Sequence, residues 1–153
     1  MTISTRYKAF SLLEILVLIG LLLGISMVIF PYSVKDIKKD QARSYSREMA
    51  SNIFVQQQNA YSGLNDENYG IYLTNKGYTL FTGVDYATGE VSMEVNLPAD
   101  TYLTNNLGGA NEIVFSKGSI RPSNAGNIIL TTASESYGIY INAEGLIEVI
   151  RIE

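Results

Sequence analysis

Phe10-Ser11-Leu12-Leu13-Glu14-Ile15-Leu16-Val17-Leu18-Ile19-Gly20-Leu21-Leu22-Leu23-Gly24-Ile25-Ser26-Met27-Val28-Ile29-Phe30 is one apolar run with a single charge, Glu14, near its start. At about 1.5 Å per residue it reaches roughly 31 Å as a helix, enough to cross the hydrocarbon core of a bilayer. The acid is the anomaly. A charge at the centre of a membrane helix costs roughly 2.5–3.5 kcal/mol on insertion scales, and less near an end. Glu14 therefore calls for a partner, and the run itself holds no Lys, Arg or His.

Working outward, the chain of 153 residues leaves room for one compact domain beyond this segment. Cysteine is absent, so no disulfide braces the fold and no thiolate metal site exists. Histidine is absent too, which removes the usual general base and the usual zinc ligand. The net charge of −4 is unevenly spread. Residues 35–62 carry Lys35, Lys38, Lys39, Arg43 and Arg47 against Asp36, Asp40 and Glu48. Residues 63–153 carry four cations (Lys76, Lys117, Arg121 and Arg151) against eleven acids, a balance that repels nucleic acid. Arg6 and Lys8 before the run suggest a secretory signal peptide, but the apolar stretch is too long and Phe30-Pro31-Tyr32-Ser33 is no small-x-small cleavage site. Cations on both sides of the run leave its orientation open on charge alone.

From Lys35 to Tyr61 there is no Gly or Pro, and Ala42, Tyr45, Met49, Ile53 and Ala60 recur at helical spacing. The spacing predicts one nearly continuous helix over about residues 10–61, apolar all round in its first half. Its second half carries one apolar stripe, with Lys, Arg, Gln and Asp elsewhere. Ser62-Gly63 ends it. Short Tyr- and Ile-rich runs come next: 69–73, 78–82, 90–95, 112–115, 127–132, 137–141 and 146–152. These read as strands. Thr74-Asn75-Lys76-Gly77 and Ser116-Lys117-Gly118-Ser119 read as turns, and Asn142-Ala143-Glu144-Gly145 as a hairpin loop with Gly in the left-handed position. Asn105-Asn106-Leu107-Gly108-Gly109 reads as a flexible loop. The expected fold is α+β: a long N-terminal helix, one half membrane-spanning and one half amphipathic, packed on an antiparallel sheet of five to seven strands.

Lys8-Ala9-Phe10-Ser11-Leu12-Leu13-Glu14, the apolar run and then Pro31 together resemble the prepilin leader and stem of type IV pilins and pseudopilins. The resemblance implies a leader at 1–9, a transmembrane assembly helix at 10–34, an amphipathic helix at 35–62 and a β-domain at 63–153. It implies cleavage between Ala9 and Phe10 by a prepilin peptidase and methylation of the Phe10 amine. Phe10 then stands first in the mature chain, Glu14 fifth and Pro31 twenty-second, as in the family. Alanine stands at position 9 where the family nearly always has glycine. In a filament, the Glu14 carboxylate would face the Phe10 amine of a neighbour, which relieves the cost of both ions and sets the axial register. Gly20 and Gly24 match the small-xxx-small pattern of close helix contact. In the resembled family the stretch leading to the proline can lose helical structure within the filament, which implies such a loss between Gly24 and Pro31 here.

A second stretch, Ile113–Ser119, Gly126–Leu130 and Tyr137–Gly145, resembles the H-type minor pseudopilin domain of type II secretion. Its pattern is a strand, a Phe-led turn closing on Gly, a Gly-led strand and a hairpin reading Asn-x-x-Gly. The resemblance implies a structural subunit of a type II secretion or type IV pilus-like filament, a minor pseudopilin in the cytoplasmic membrane. Its N-terminus would be cytoplasmic and its β-domain outside. Its partners would be other pilins, the peptidase, an inner-membrane assembly platform and membrane lipid. A major type IV pilin, or an anchored DNA- or ligand-binding module of a competence system, remains the alternative. No enzyme activity and no cofactor are expected. Without His or Cys an activated serine lacks its usual base, and no nucleophile elbow or phosphate loop is present. The loop acids Asp66, Glu67, Asp85, Glu90 and Asp100 fit no calcium-loop spacing.

Overall fold

Among the described residues, helix α1, Leu12–Ser62, runs 51 residues and is succeeded by a single 3-10 turn and eight strands. The computed structural model describes residues 12–152, with the side chains of residues 27–40 outside that description. The expected cleavage site, Ala9 and Phe10, lies outside the described residues. The chain divides between Ile37 and Lys38 into two units.

In the second unit, Ala42, Met49, Ile53 and Ala60 are buried completely and Tyr45 in part, the stripe that the spacing predicts. The helix ends where Gly63 takes a left-handed conformation (φ 66°), which costs glycine nothing. Its N–H donates to Ala60 O at 3.0 Å, and Gly118 N–H reaches the same carbonyl at 2.8 Å. A loop far along the chain thus satisfies one of the helix's orphan carbonyls.

The strands are β1 (Tyr69–Thr74), β2 (Gly77–Thr82), β3 (Glu90–Asn96), β4 (Tyr102–Asn106), β5 (Glu112–Phe115), β6 (Gly126–Thr131), β7 (Ser136–Ile141) and β8 (Ile147–Ile152). All seven expected strands are present within about a residue at each end. The single sheet is corrected: the strands form two antiparallel sheets of four, ordered β3-β2-β1-β5 and β4-β6-β7-β8. The additional strand is β4, which includes residues whose sequence reads as a flexible loop. Asn has poor strand propensity, but Leu103 and Leu107 are buried at even spacing, and β4 pairs with β6 through Leu103↔Leu130 and Asn105↔Ile128. Pairing and burial override local preference here.

The sheets are tied across the β1–β2 turn. Leu103 N–H donates to Asn75 O at 3.0 Å, and the Lys76 ammonium donates to Ala99 O at 2.8 Å while lying 3.5 Å from the centre of the Tyr102 ring. One apolar core serves both sheets and the helix. Met49 and Ile53 of α1 meet Ile71 and Leu73 of β1, Phe115 of β5, and Ile128, Leu130 and Ile139 of the second sheet.

Candidate assembly surface

The described part of the apolar run exposes its side chains all round. Leu12 is 84% exposed and Leu16 67%, and even the least exposed large residue, Ile25, is 48% exposed. No ordinary soluble surface shows so long an unbroken apolar helix, and such a surface marks a site that something else covers. Among the described residues no helix is long and apolar enough to cross a membrane. The described side chains of the run end at Ser26, short of the roughly 20 residues a bilayer requires.

Glu14 sits in the first turn of described helix, exposed and without an ion-pair partner among the described residues. Gly20 and Gly24 lie one turn apart on one face, and nothing stands within 4 Å of where their Cβ atoms would be. At 100° per residue that face lies about 80–120° round the helix from Glu14. The glycine face and the Glu14 carboxylate therefore lie on different sides of the helix. The backbone is helical through Gly24 and Pro31, and the Pro31 side chain lies outside the described residues.

In the second unit the sequence reading is corrected at Gln56 and Gln57. Their chemistry assigns both to the polar side of the helix, yet they stand three and four positions after Ile53, in line with the stripe, and both are buried, at 5% and 4% exposure. The Gln57 amide donates from Nε2 to Ile120 O at 2.8 Å and to Gly145 O at 2.7 Å, stapling α1 to the β5–β6 loop and the last hairpin. That hairpin is the expected Asn142–Gly145 loop, with Gly145 N–H donating to Asn142 O at 3.0 Å and Gly145 at φ +87°. A Cβ at Gly145 would stand 2.1 Å from Ile120 O, so the position is restricted to glycine on two counts. On the same helix, Asn52 Nδ2 donates to the Tyr78 hydroxyl at 2.8 Å. Burial pushes the Tyr78 phenol above its ordinary pKa, with Asn52 acting in the opposite sense.

The loop acids do not converge: among the described residues no group of three or more acids could hold a metal ion. Asp66 pairs instead with Lys117, and Asp85 Oδ1 accepts from Thr88 N and Oγ1 at 2.8 and 2.7 Å. What the sequence did not reveal is a cluster of cations. Arg43 and Arg47 of α1 and Arg151 of β8 line one cavity with Tyr137 and Val149. The signal available in sequence was the i, i+4 spacing of the first two; the third joins them only through the fold.

No protein-family model and no curated protein sequence matches this chain. Among solved structures it is similar to the minor pseudopilin EpsH from the Type 2 Secretion System of Vibrio cholerae, at a TM-score of 0.58 and 11% sequence identity. The match covers 72% of this chain and 96% of that one. At that identity the likeness is one of fold. The N-terminal helix packed against antiparallel sheets is the pilin-like α+β arrangement.

Proposed function

We propose that this chain is a pilin-like structural subunit, a minor pseudopilin of a type II secretion or related filament, inserted in the cytoplasmic membrane by its N-terminal helix. The observation that carries this reading is the apolar surface of α1 with Glu14 on it, on the same helix whose distal half packs into a pilin-like domain. In this reading the prepilin peptidase removes residues 1–9 and methylates Phe10, and the assembly platform delivers the subunit to the filament. The Glu14 carboxylate then meets the Phe10 amine of an adjacent subunit. Desolvation penalises each ion alone, and a paired arrangement removes most of that penalty, so the register with the most complete pairing is selected. The glycine face supports close approach of a second neighbour, since helices in lipid associate through packing and small residues. The work of such a protein lies in its contacts, with no turnover of its own.

The test is intact mass of the protein extracted from membranes of cells that hold the assembly machinery. The reading requires loss of residues 1–9 and a methyl group on Phe10. Glu14→Ala should be inserted and processed like the wild type but fail to crosslink into filaments. A full-length unmethylated product, or normal incorporation of Glu14→Ala, would overturn the reading.

A further inference from the structure

Arg43 and Arg47 lie one turn apart on α1, and Arg151 lies on β8 with its side chain 60% exposed. With Tyr137 and Val149 they line a cavity of about 330 Å³. Glu135 is joined to this cluster by two bonds: Arg151 lies 3.0 Å from Glu135 Oε1, and the Tyr137 hydroxyl donates to Glu135 Oε2 at 2.9 Å. The Glu135 side chain is only 5% exposed, so it is a built-in counter-ion with both oxygens engaged. It offsets one guanidinium. Arg43 and Arg47 are exposed and form no ion pair with any described side chain, so three guanidinium groups line the cavity and Glu135 is bonded to one of them. Arg43 and Arg47 stand at i, i+4 on α1, where like charges work against the helix.

We propose that this cavity is a carboxylate-recognising docking site for an acidic segment of a partner polypeptide. The chemistry of the lining fits that occupant. Guanidinium groups present planar, forked donors that match a carboxylate with two parallel hydrogen bonds. Val149 and the Tyr137 ring offer an apolar wall for the methylenes of a glutamate stem. The volume falls at the small end of the about 300–1,000 Å³ typical of ligand pockets, the size of one or two side chains. A nucleic acid would need cations in a row along its backbone, and residues 63–153 hold eleven acids against four cations. The site goes beyond the filament reading and does not depend on it, because a single chain contains the whole pocket.

The test is fluorescence anisotropy of a fluorescein-labelled hexaglutamate peptide titrated with the full chain in a non-ionic detergent. Saturable binding that weakens as salt rises is expected, since the contacts are charged and partly exposed. The double variant Arg43→Glu/Arg47→Glu should lower affinity by at least about tenfold. Arg43→Lys/Arg47→Lys keeps the charge but loses the fork, and should lower affinity by about two- to fivefold. Arg121→Gln, a cation outside the pocket, should leave binding unchanged. Near-UV circular dichroism confirms that each variant is folded, and Arg47→Gln alone replaces the double variant if that one is not. Absence of saturable binding, equal loss in Arg121→Gln, or displacement of the peptide by a thymidine oligonucleotide of equal charge at lower concentration would each overturn the proposal.

Discussion

Replacing Gln57 by alanine removes one amide and strands two carbonyls. In the folded chain, Nε2 donates to Ile120 O at 2.8 Å and to Gly145 O at 2.7 Å, and the side chain is 4% exposed. Each lost bond is worth about 1 kcal/mol net, and a buried carbonyl left without a donor adds about 1–3 kcal/mol. Water can reach Ile120 O, whose residue is 43% exposed, more readily than Gly145 O, whose bond is buried. Counting the penalty once gives a loss of about 3–5 kcal/mol, or roughly 10–20 °C in Tm for a domain of this size. The chain has no Trp and 11 Tyr, so near-UV circular dichroism of the tyrosines reports the loss of packing in a guanidinium titration. Gln57→Glu separates the hydrogen bonds from the volume. Its ionised carboxylate only accepts and would point at two carbonyl oxygens, so at neutral pH it should cost more than Gln57→Ala. Lowering the pH toward about 4 protonates the acid and restores one donor, so the gap should narrow. If Gln57→Ala loses less than about 0.5 kcal/mol and Gln57→Glu loses no more, the staple does not hold the hairpin to the helix and the reasoning fails.

Gly145→Ala places a Cβ against Ile120 O at a positive φ and should cost more than about 2 kcal/mol, read as a lower denaturant midpoint with unchanged slope. Wild-type stability there would mean that the hairpin shifts freely. Met49→Ala empties a fully buried site in the shared core and should cost about 2–5 kcal/mol by the same titration. Tyr78 and Tyr137 both have pKa values raised above 10.0, in each case first by burial, so the folded state keeps protons that the unfolded state releases. Their contribution is intact below about pH 10 and is lost as pH rises through the folded values. Tyr78→Phe should therefore flatten the alkaline loss of stability, and an unchanged pH profile would refute the assignment.

The long helix was legible because periodicity is a local property. An unbroken stretch from Lys35 to Tyr61 with apolar residues at helical spacing has few competing conformations, and Gly63 stops it by the left-handed turn that glycine tolerates. The strands were legible for the same reason. Their grouping was not. Nothing in Asn105-Asn106-Leu107 distinguishes a loop from a strand until β6 supplies a partner for its backbone. Among the candidate site residues, Glu14, Gly20 and Gly24 stand on exposed helix, while the cationic pocket required β8 to bring Arg151 beside a helix more than a hundred positions earlier in the chain.

The sequence by itself determined the long helix, every strand except β4, and which face of α1 the apolar side chains occupy, because those depend on the spacing of side chains along one element. The tertiary structure alone decided the fate of the polar residues. Gln57 reads as surface by its chemistry, and it is buried because its amide reaches carbonyls 63 and 88 positions away. A polar group leaves water only where partners replace it, and those partners exist only once distant parts of the chain have come together.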